Sequence, residues 1–361
     1  MRLVVLAGDG IGPEITAATL AVLRAADARF GLKLDLAELP AGVACLAETG
    51  TTIPEATAAA VRAADGLVMG PMDTYAYAGQ KGAQYGGGAL NPSGFFRRNL
   101  DLYGNIRPAR TYPGLRSPTG AEFDLVIVRE NTEGFYADRN MEQGNAEILV
   151  TPEVVVSMRR ITRLCCDRIA ASAFKLAQRR RRHVTAVHKA NVLTKGDGMF
   201  LASCRAEAEK HPGVAYDEVI VDAMAAHLVR TPQKYDVIVT TNMFGDILSD
   251  LAIELSGSLG LGGSINAGER FCMAQASHGS APDIAGQDRA NPASLVLSAA
   301  MLLGWQAEQG GSSANAFAAA AGAIEAAVAQ VIQAGDCTAD VGGRLGTAAM
   351  GQALAARIGA A

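Results

Sequence analysis

The sequence predicts an α/β protein, because short β-branched or apolar runs alternate with longer alanine-rich stretches of helical character. The first apolar run also breaks directly into a glycine turn and then a helix, as strand–turn–helix units do. Hydrophobic residues make up 49% of the chain and charged residues 19%, which is enough material for a buried core. Its 361 residues suggest two or three domains of ordinary size.

In order along the chain, strands are expected over residues 2–6, 66–69, 125–129, 184–188, 215–221 and 237–240. Helices are expected over 14–28, 54–63, 152–178, 198–210, 223–229, 246–255, 292–309 and 314–334. Pro152 and Pro292 then stand at helix starts, where the missing N–H has no partner to lose. Four stretches look irregular: 70–93, 131–149, 188–198 and 257–290. Long connectors inside compact domains tend to be functional, so these are the candidate active-site loops.

The formal net charge is −4, with a pI near 5.8. That balance argues against nucleic-acid or anionic-membrane partners, while leaving room for a local basic pocket. Six cysteines occur without C-x-x-C spacing, and Cys165 and Cys166 are adjacent, so neither a zinc motif nor a disulfide framework is expected. Reduced thiols in a cytoplasmic enzyme are the expectation. Neither a signal peptide nor an apolar run of about twenty residues is expected.

Four groups of residues have the makings of chemistry. Gly8-Asp9-Gly10-Ile11-Gly12-Pro13-Glu14 links the first strand to a helix, and its backbone could approach an anion. It equally fits a tight connection, and Pro13 stands where a dinucleotide fingerprint has its third glycine. Asp246 and Asp250 lie four apart on an expected helix, on one face, and Asp222 ends an expected strand. Three such carboxylates suit Mg²⁺ or Mn²⁺, although a helix cap and a solvated surface residue would produce the same spacing. Arg97, Arg98, Arg107 and Arg129 could grip a di- or tricarboxylic acid through paired hydrogen bonds, or form structural ion pairs. Lys189 and Asn191 follow an apolar strand, and Tyr136 follows Arg129 by seven residues. Lys189 could serve as a base and Tyr136 as a proton donor; each could also be an ordinary surface or packing residue.

Taken together and in order, these segments resemble the isocitrate/3-isopropylmalate dehydrogenase family. The matching stretches are GDGIGPE at Gly8, RRNLDLYGNIRP at Arg97, VRENTEGFY at Val128 and VHKANVL at Val187. VDAMAAHLV at Val221, NMFGDILSD at Asn242 and HGSAPDIAGQDRANP at His278 complete the series. The similarity runs from about residue 2 to about residue 345.

The resemblance implies a two-domain α/β fold distinct from a Rossmann fold. One domain would hold residues 1–102 and 257–361 and the other 103–256, with an intersubunit clasp near 137–155 and a hinge that closes on substrate. Arg97, Arg107 and Arg129 look like the family's malate-binding arginines, with Asn191 beside them. Tyr136 looks like its catalytic tyrosine and Lys189 like its catalytic lysine. Lys189 and Asp222 are implied to act from the partner subunit of a homodimer, Asp222 joining Asp246 and Asp250 at the metal. The cofactor would contact Ile11, Thr74, His278, Gly279, Ser280, Ala281, Pro282, Asp283, Ile284 and Asn291. The acidic Asp283 implies NAD, because a carboxylate there accepts from ribose hydroxyls and would repel a 2′-phosphate.

Selection of the substituent on C3 falls to residues just before Arg97. Isopropylmalate enzymes resemble each other in having leucines three and four positions before that arginine, where this chain has Gly94 and Ser93. Isocitrate enzymes have serine six before and asparagine four before; here Asn91 and Ser93 form a polar pair in exchanged order. An isocitrate-like or tartrate-like acid is therefore ranked first and 3-isopropylmalate second, with Phe95 and Phe96 keeping an apolar option open. The loop 75–88 fits neither subfamily. Some relatives are non-catalytic regulatory subunits that lose a metal aspartate, the lysine or the tyrosine; this chain keeps all of these residues.

Overall fold

The structure, a computed structural model, describes residues 1–77, 91–136 and 146–360. The early strands are β1 (Arg2–Leu6), β2 (Asp35–Glu38), β3 (Gly66–Met69), β4 (Gly104–Arg110) and β5 (Asp124–Glu130). They continue with β6 (Glu147–Thr151), β7 (Val154–Ser157), β8 (His183–His188) and β9 (Ala215–Ile220). The last are β10 (Val237–Thr240), β11 (Ile265–Ala267) and β12 (Cys272–Gln275). Helices begin with α1 (Gly12–Phe30), α2 (Val43–Thr49), α3 (Glu55–Arg62), α4 (Thr74–Tyr77) and α5 (Pro92–Asn99). Then come α6 (Arg163–Ala177), α7 (Gly196–Lys210), α8 (Val221–Arg230) and α9 (Asn242–Ser256). The series closes with α10 (Ala293–Glu308), α11 (Ala314–Ala334) and α12 (Thr347–Ala360).

The chain forms two compact units. The first comprises Met1–Ser93, Tyr112–Arg116 and Gly257–Ala361; the second comprises Gly94–Thr111 and Ser117–Ser256. In the first unit the strand order is β2-β1-β3-β12-β11. Every pair is parallel except β11 with β12. That order differs from the classic dinucleotide-binding arrangement. In the second unit the order is β4-β5-β10-β8-β9, with only β4 antiparallel to its neighbour.

Strand β5 shows why these apolar runs become central strands. Val126 and Val128 pack with Ile169, Phe174, Phe200 and Val184, under α6 and α7. The alternate residues Leu125 and Ile127 pack on the opposite face with Met224, Leu228, Leu248 and Ile253 of α8 and α9. A strand buried on both faces reads as a continuous apolar run rather than an alternation. Each such side chain contributes roughly 1.5–3 kcal/mol on burial. In the first unit, β1, β3 and β12 are likewise buried along almost their whole length.

Several local expectations change, among them the irregular reading of 257–290, which holds β11 and β12. The helix expected over 152–178 divides: Val154-Val155-Val156 is β7, paired antiparallel with β6, and α6 starts only after Thr162, whose side chain caps Cys165 N–H at 3.3 Å. Pro152 sits in the hairpin turn, and the β-branched run prefers a strand. Asp222 lies in the first turn of α8, not at a strand end. The expectation of no long apolar run meets an exception in α11, whose mean hydropathy of 1.4 makes it long and apolar enough to cross a membrane by composition alone. It packs against α10 and α12 with Phe317, Ile324, Val328 and Val331 buried, as a core helix does.

Candidate active site

In both units many of the candidate residues lie at or just past the carboxyl ends of parallel strands, where open α/β sheets bind ligands, while Arg107 lies within β4 and Ser93 and Arg97 on α5. In the first unit β1 runs into the glycine turn, β3 into the segment carrying Thr74, and β12 into the loop from His278. In the second, β5 ends at Arg129 and Glu130 and leads to Tyr136; β8 leads to Lys189 and Asn191. There too, β9 leads to Asp222, and β10 to α9 with Asp246 and Asp250.

The glycine turn holds loops together. Ile11 N–H donates to the Ser280 carbonyl at 2.8 Å, and Asp9 N–H to the Pro71 carbonyl at 2.8 Å. A Cβ on Gly10 would lie 2.0 Å from Ser280 O, and one on Gly8 2.3 Å from Pro71 O. Both glycines have positive φ. The Asp9 carboxylate accepts Val43 N–H at 2.7 Å, Asp73 N–H at 2.9 Å and the Tyr77 hydroxyl, so it ties the Thr74 segment to this turn. Sequence reasoning passed over that role.

The loop from His278 continues through a 3-10 turn at Pro282–Ile284, entered through Ala281 in a left-handed conformation. Thr74, Gly279, Pro282 and Asp283 are exposed, while Ile11, Ser280 and Asn291 are buried. Asn291 accepts Ala293 N–H at 2.9 Å, at the start of α10, and donates to Asp340 at 3.0 Å. Burial pushes the His278 imidazole below its ordinary pKa.

In the second unit the arginines meet the aspartates. Arg107 Nη1 donates to Asp250 Oδ1 at 2.9 Å and to Ser249 Oγ at 2.8 Å, and lies 3.5 Å from Asp246 Oδ1. Arg129 donates to Asp246, and the Tyr136 hydroxyl donates to the other Asp246 oxygen at 3.1 Å. The guanidinium of Arg129 also stands over the Tyr136 ring, 5.6 Å from its centre. Burial works against ionisation of Asp246, but the charges of Arg129, Arg107 and Arg97 outweigh it and hold the carboxyl below its ordinary range. Asp250 shifts the other way: burial raises it and the Asp246 charge adds to this, with Arg107 opposing.

Arg129 is only 1% exposed and rests on Asn242, a partner that spacing did not reveal. Gly245 permits this packing, because a Cβ there would lie 2.6 Å from Arg129 Cγ. The Tyr136 turn is held by two buried carboxylates. Glu130 accepts Thr132 and Glu133 N–H, and Glu133 accepts Thr162 N–H and hydroxyl, both at 2.9 Å.

Lys189 donates to Asp222, and this ammonium holds the Asp222 carboxyl below its ordinary range. The lysine's backbone N–H is fixed by Asp197 Oδ2 at 2.5 Å, itself paired with Arg159. Asn191 is exposed in the same turn. Among the described residues no group of three His, Cys, Asp or Glu side chains is gathered, so one chain does not bring Asp222 to Asp246 and Asp250. Asn91 accepts Ser93 N–H at 3.0 Å, and Ser93 Oγ accepts from Gln275 at 2.7 Å. Residues 78–88 of the unusual loop and 137–145 of the expected clasp lie outside the described residues.

The model of the isocitrate/isopropylmalate dehydrogenase family matches residues 2–354. This chain belongs to that family. It is a β-decarboxylating dehydrogenase with the α/β isocitrate dehydrogenase-like fold. Among relatives, the 3-isopropylmalate dehydrogenase of Methanothermobacter thermautotrophicus is 39% identical over 356 residues, covering 98% of each chain. The isocitrate/homoisocitrate dehydrogenase of Thermus thermophilus is 38% identical over 354 residues, covering 98% of this chain and 97% of the relative. The crystal structure of isocitrate dehydrogenase from Methylococcus capsulatus matches with a TM-score of 0.85 at 36% identity, covering 99% of both chains. Relatives at this similarity carry both substrate names, so the family membership fixes the reaction class and leaves the substituent on C3 to the residues themselves.

Proposed function

We propose that this dehydrogenase uses NAD and Mg²⁺ or Mn²⁺ to oxidise and decarboxylate a malate with a small polar substituent on C3, isocitrate-like or tartrate-like. The observation that carries this reading is the junction of Arg107 and Arg129 with Asp246 and Asp250. It puts cationic forks suited to carboxylates beside a pair of hard-oxygen donors. The aspartate pair fits a divalent cation by its chemistry: two carboxylates four residues apart on α9 offer hard oxygen donors, and an added cation would offset the burial and the Asp246 charge that raise the Asp250 carboxyl. Asp283 fits NAD, its exposed position leaving the carboxylate accessible to ribose hydroxyls.

When bound, the cation supplies charge neutralisation for the oxygen on C2, and NAD supplies the hydride acceptor. Arg97, Arg107 and Arg129 hold the acid's carboxylates, with Asn191 as a further polar contact. Lys189, acting in its neutral amine form, takes the proton of the 2-hydroxyl as hydride leaves C2. The ketone at C2 then draws the electrons of the departing carboxylate toward itself. Tyr136, held by Asp246 at 3.1 Å, returns a proton to C3.

A homodimer with a shared site is part of the same reading. Ile148, Leu149, Val154 and Val155 of the β6–β7 hairpin are each roughly half or more exposed, as are Val192 after Lys189 and Ile247 on α9. Exposed apolar side chains along one hairpin, and beside Asn191 and Asp246 in sequence, suit cover by a second copy. Lys189 and Asp222 of one copy would then complete the cluster of the other. A cytoplasmic setting agrees with six free cysteines.

The second reading is 3-isopropylmalate, the substrate in the name of the Methanothermobacter relative. Phe96 is 1% exposed and committed to packing, which leaves Phe95 as the apolar candidate. The test follows NADH and CO₂ formation with Mg²⁺ against isocitrate, homoisocitrate, tartrate, D-malate and 3-isopropylmalate, repeated with NADP. Preference for a polar acid with NAD is the expected result. Preference for 3-isopropylmalate, or for NADP, would overturn the corresponding part.

A further inference from the structure

The carboxyl end of β12 carries a buried amide to which nothing above assigns a role. Gln275 is 7% exposed, and its backbone is pinned: its N–H donates to Ser264 O at 3.0 Å and its carbonyl accepts the Ser298 hydroxyl at 3.0 Å. Its side chain lies in a polar chain. Asn266, fully buried, donates to Gln275 Oε1 at 3.4 Å, and Gln275 Nε2 donates to Ser93 Oγ at 2.7 Å.

The order of these bonds has a chemical consequence. With Asn266 on its oxygen, the Gln275 amide presents its NH₂ group to Ser93, which has to accept. A hydroxyl that accepts there sends its own proton elsewhere, so Ser93 stands as an O–H donor. Asn91 fixes the Ser93 backbone through its N–H at 3.0 Å. Ser93 also precedes Arg97 by four residues on α5, which sets the two on the same helix face one turn apart.

We propose that Gln275 is a specificity-determining positioning residue that aims the Ser93 hydroxyl as a donor. It thereby selects a malate whose C3 substituent ends in an oxygen acceptor, carboxylate or hydroxyl, over one ending in methyl groups. This rests on the reading that α5 faces the C3 substituent. A substituent without an acceptor leaves a polar donor unpaired, and sites built to hydrogen-bond a group discriminate strongly against analogues lacking it.

The experiment compares kcat/KM for isocitrate, tartrate, D-malate and 3-isopropylmalate in the full-length enzyme and its Gln275→Met, Gln275→Glu and Ser93→Ala variants. Gln275→Met keeps an unbranched side chain and removes the donor. Gln275→Glu keeps the shape and reverses the bond, because its carboxylate accepts the Ser93 proton. Each is expected to lower the ratio of isocitrate or tartrate over D-malate by about 10- to 100-fold. Ser93→Ala combined with Gln275→Met is expected to lower it no further than either alone. If Gln275→Met misfolds, the Gln275→Glu ratio decides. An equal fall for every acid including D-malate, or multiplying effects in the double variant, would overturn the proposal and leave the functional reading intact. Turnover of none of the acids by the unmodified enzyme would overturn both.

Discussion

Arg129 is locked onto Asn242: its Nε donates to the Asn242 carbonyl at 2.9 Å and to Oδ1 at 3.2 Å, and its Nη2 donates to the same Oδ1 at 2.7 Å. The guanidinium is 1% exposed, so water cannot replace a lost partner. Asn242→Ala removes Oδ1 and should destabilise the fold by about 1.5–3 kcal/mol, the range for hydrogen bonds to charged groups. Urea unfolding would show this as a lower midpoint at unchanged slope. KM for the hydroxy acid should rise in the same variant. An unchanged midpoint would mean that the pairing is dispensable.

Glu133 should make stability fall as pH rises. Burial lifts its carboxyl above the ordinary range, and Glu130 adds to the shift, although Thr162 opposes it. In the unfolded chain it ionises near about pH 4.3. The native state therefore keeps a proton that the unfolded state has released. Its contribution is whole below that pH and is lost as pH rises through the folded pKa. Glu133→Gln removes the dependence. Urea midpoints across pH 4 to 8 should show the unmodified protein losing stability relative to the variant; a constant difference would contradict the account.

The cysteines should be silent in the native protein. All six are free and buried, burial pushes the Cys166 thiol up to about 12, and it lifts Cys204 and Cys272 well above their ordinary value. The reactive species is the thiolate, so a thiol reagent should find no fast-reacting group until denaturant is added. All six should then react. A fast native phase would contradict the burial described.

The β6–β7 hairpin should govern assembly. Leu149 is 68% exposed and Val155 55%. A charge placed on this surface, as in Val155→Asp, should be tolerated in an isolated chain and disfavoured in a dimer that covers it. Light scattering should show a shift to monomer, with activity lost in step. A variant that stays dimeric and active would remove the hairpin from the interface.

Much of this was legible beforehand for physical reasons. Strands such as β5 and β10 are buried on both faces and spell out short apolar runs, so the ends of those runs mark where the proposed site residues begin. Elements whose signal is weak or shared were missed. Val154-Val155-Val156 sits beside a proline that also suits a helix start, and only its pairing with β6 decides. Strands of three or four residues, such as β11 and β2, carry too little pattern to register. The supporting residues Asn242, Asp9 and Gln275 were invisible for another reason: their partners are distant in sequence. Asn242 lies 113 positions from Arg129, and Gln275 lies 182 from Ser93. Spacing along a chain cannot report such contacts.

The proposal on which the mechanism depends is that Arg107, Arg129, Asp246 and Asp250 form half of a site, and Lys189 and Asp222 of a second copy the other half. Co-expression of a Lys189→Ala chain with an Asp246→Asn chain tests it directly, after each has been shown inactive alone. The mixed dimer would contain one site with both functional groups and one with neither, so activity should return to about a quarter of the unmodified level in a random mixture of dimers. No activity in the purified mixed dimer, despite intact assembly, would contradict the shared site.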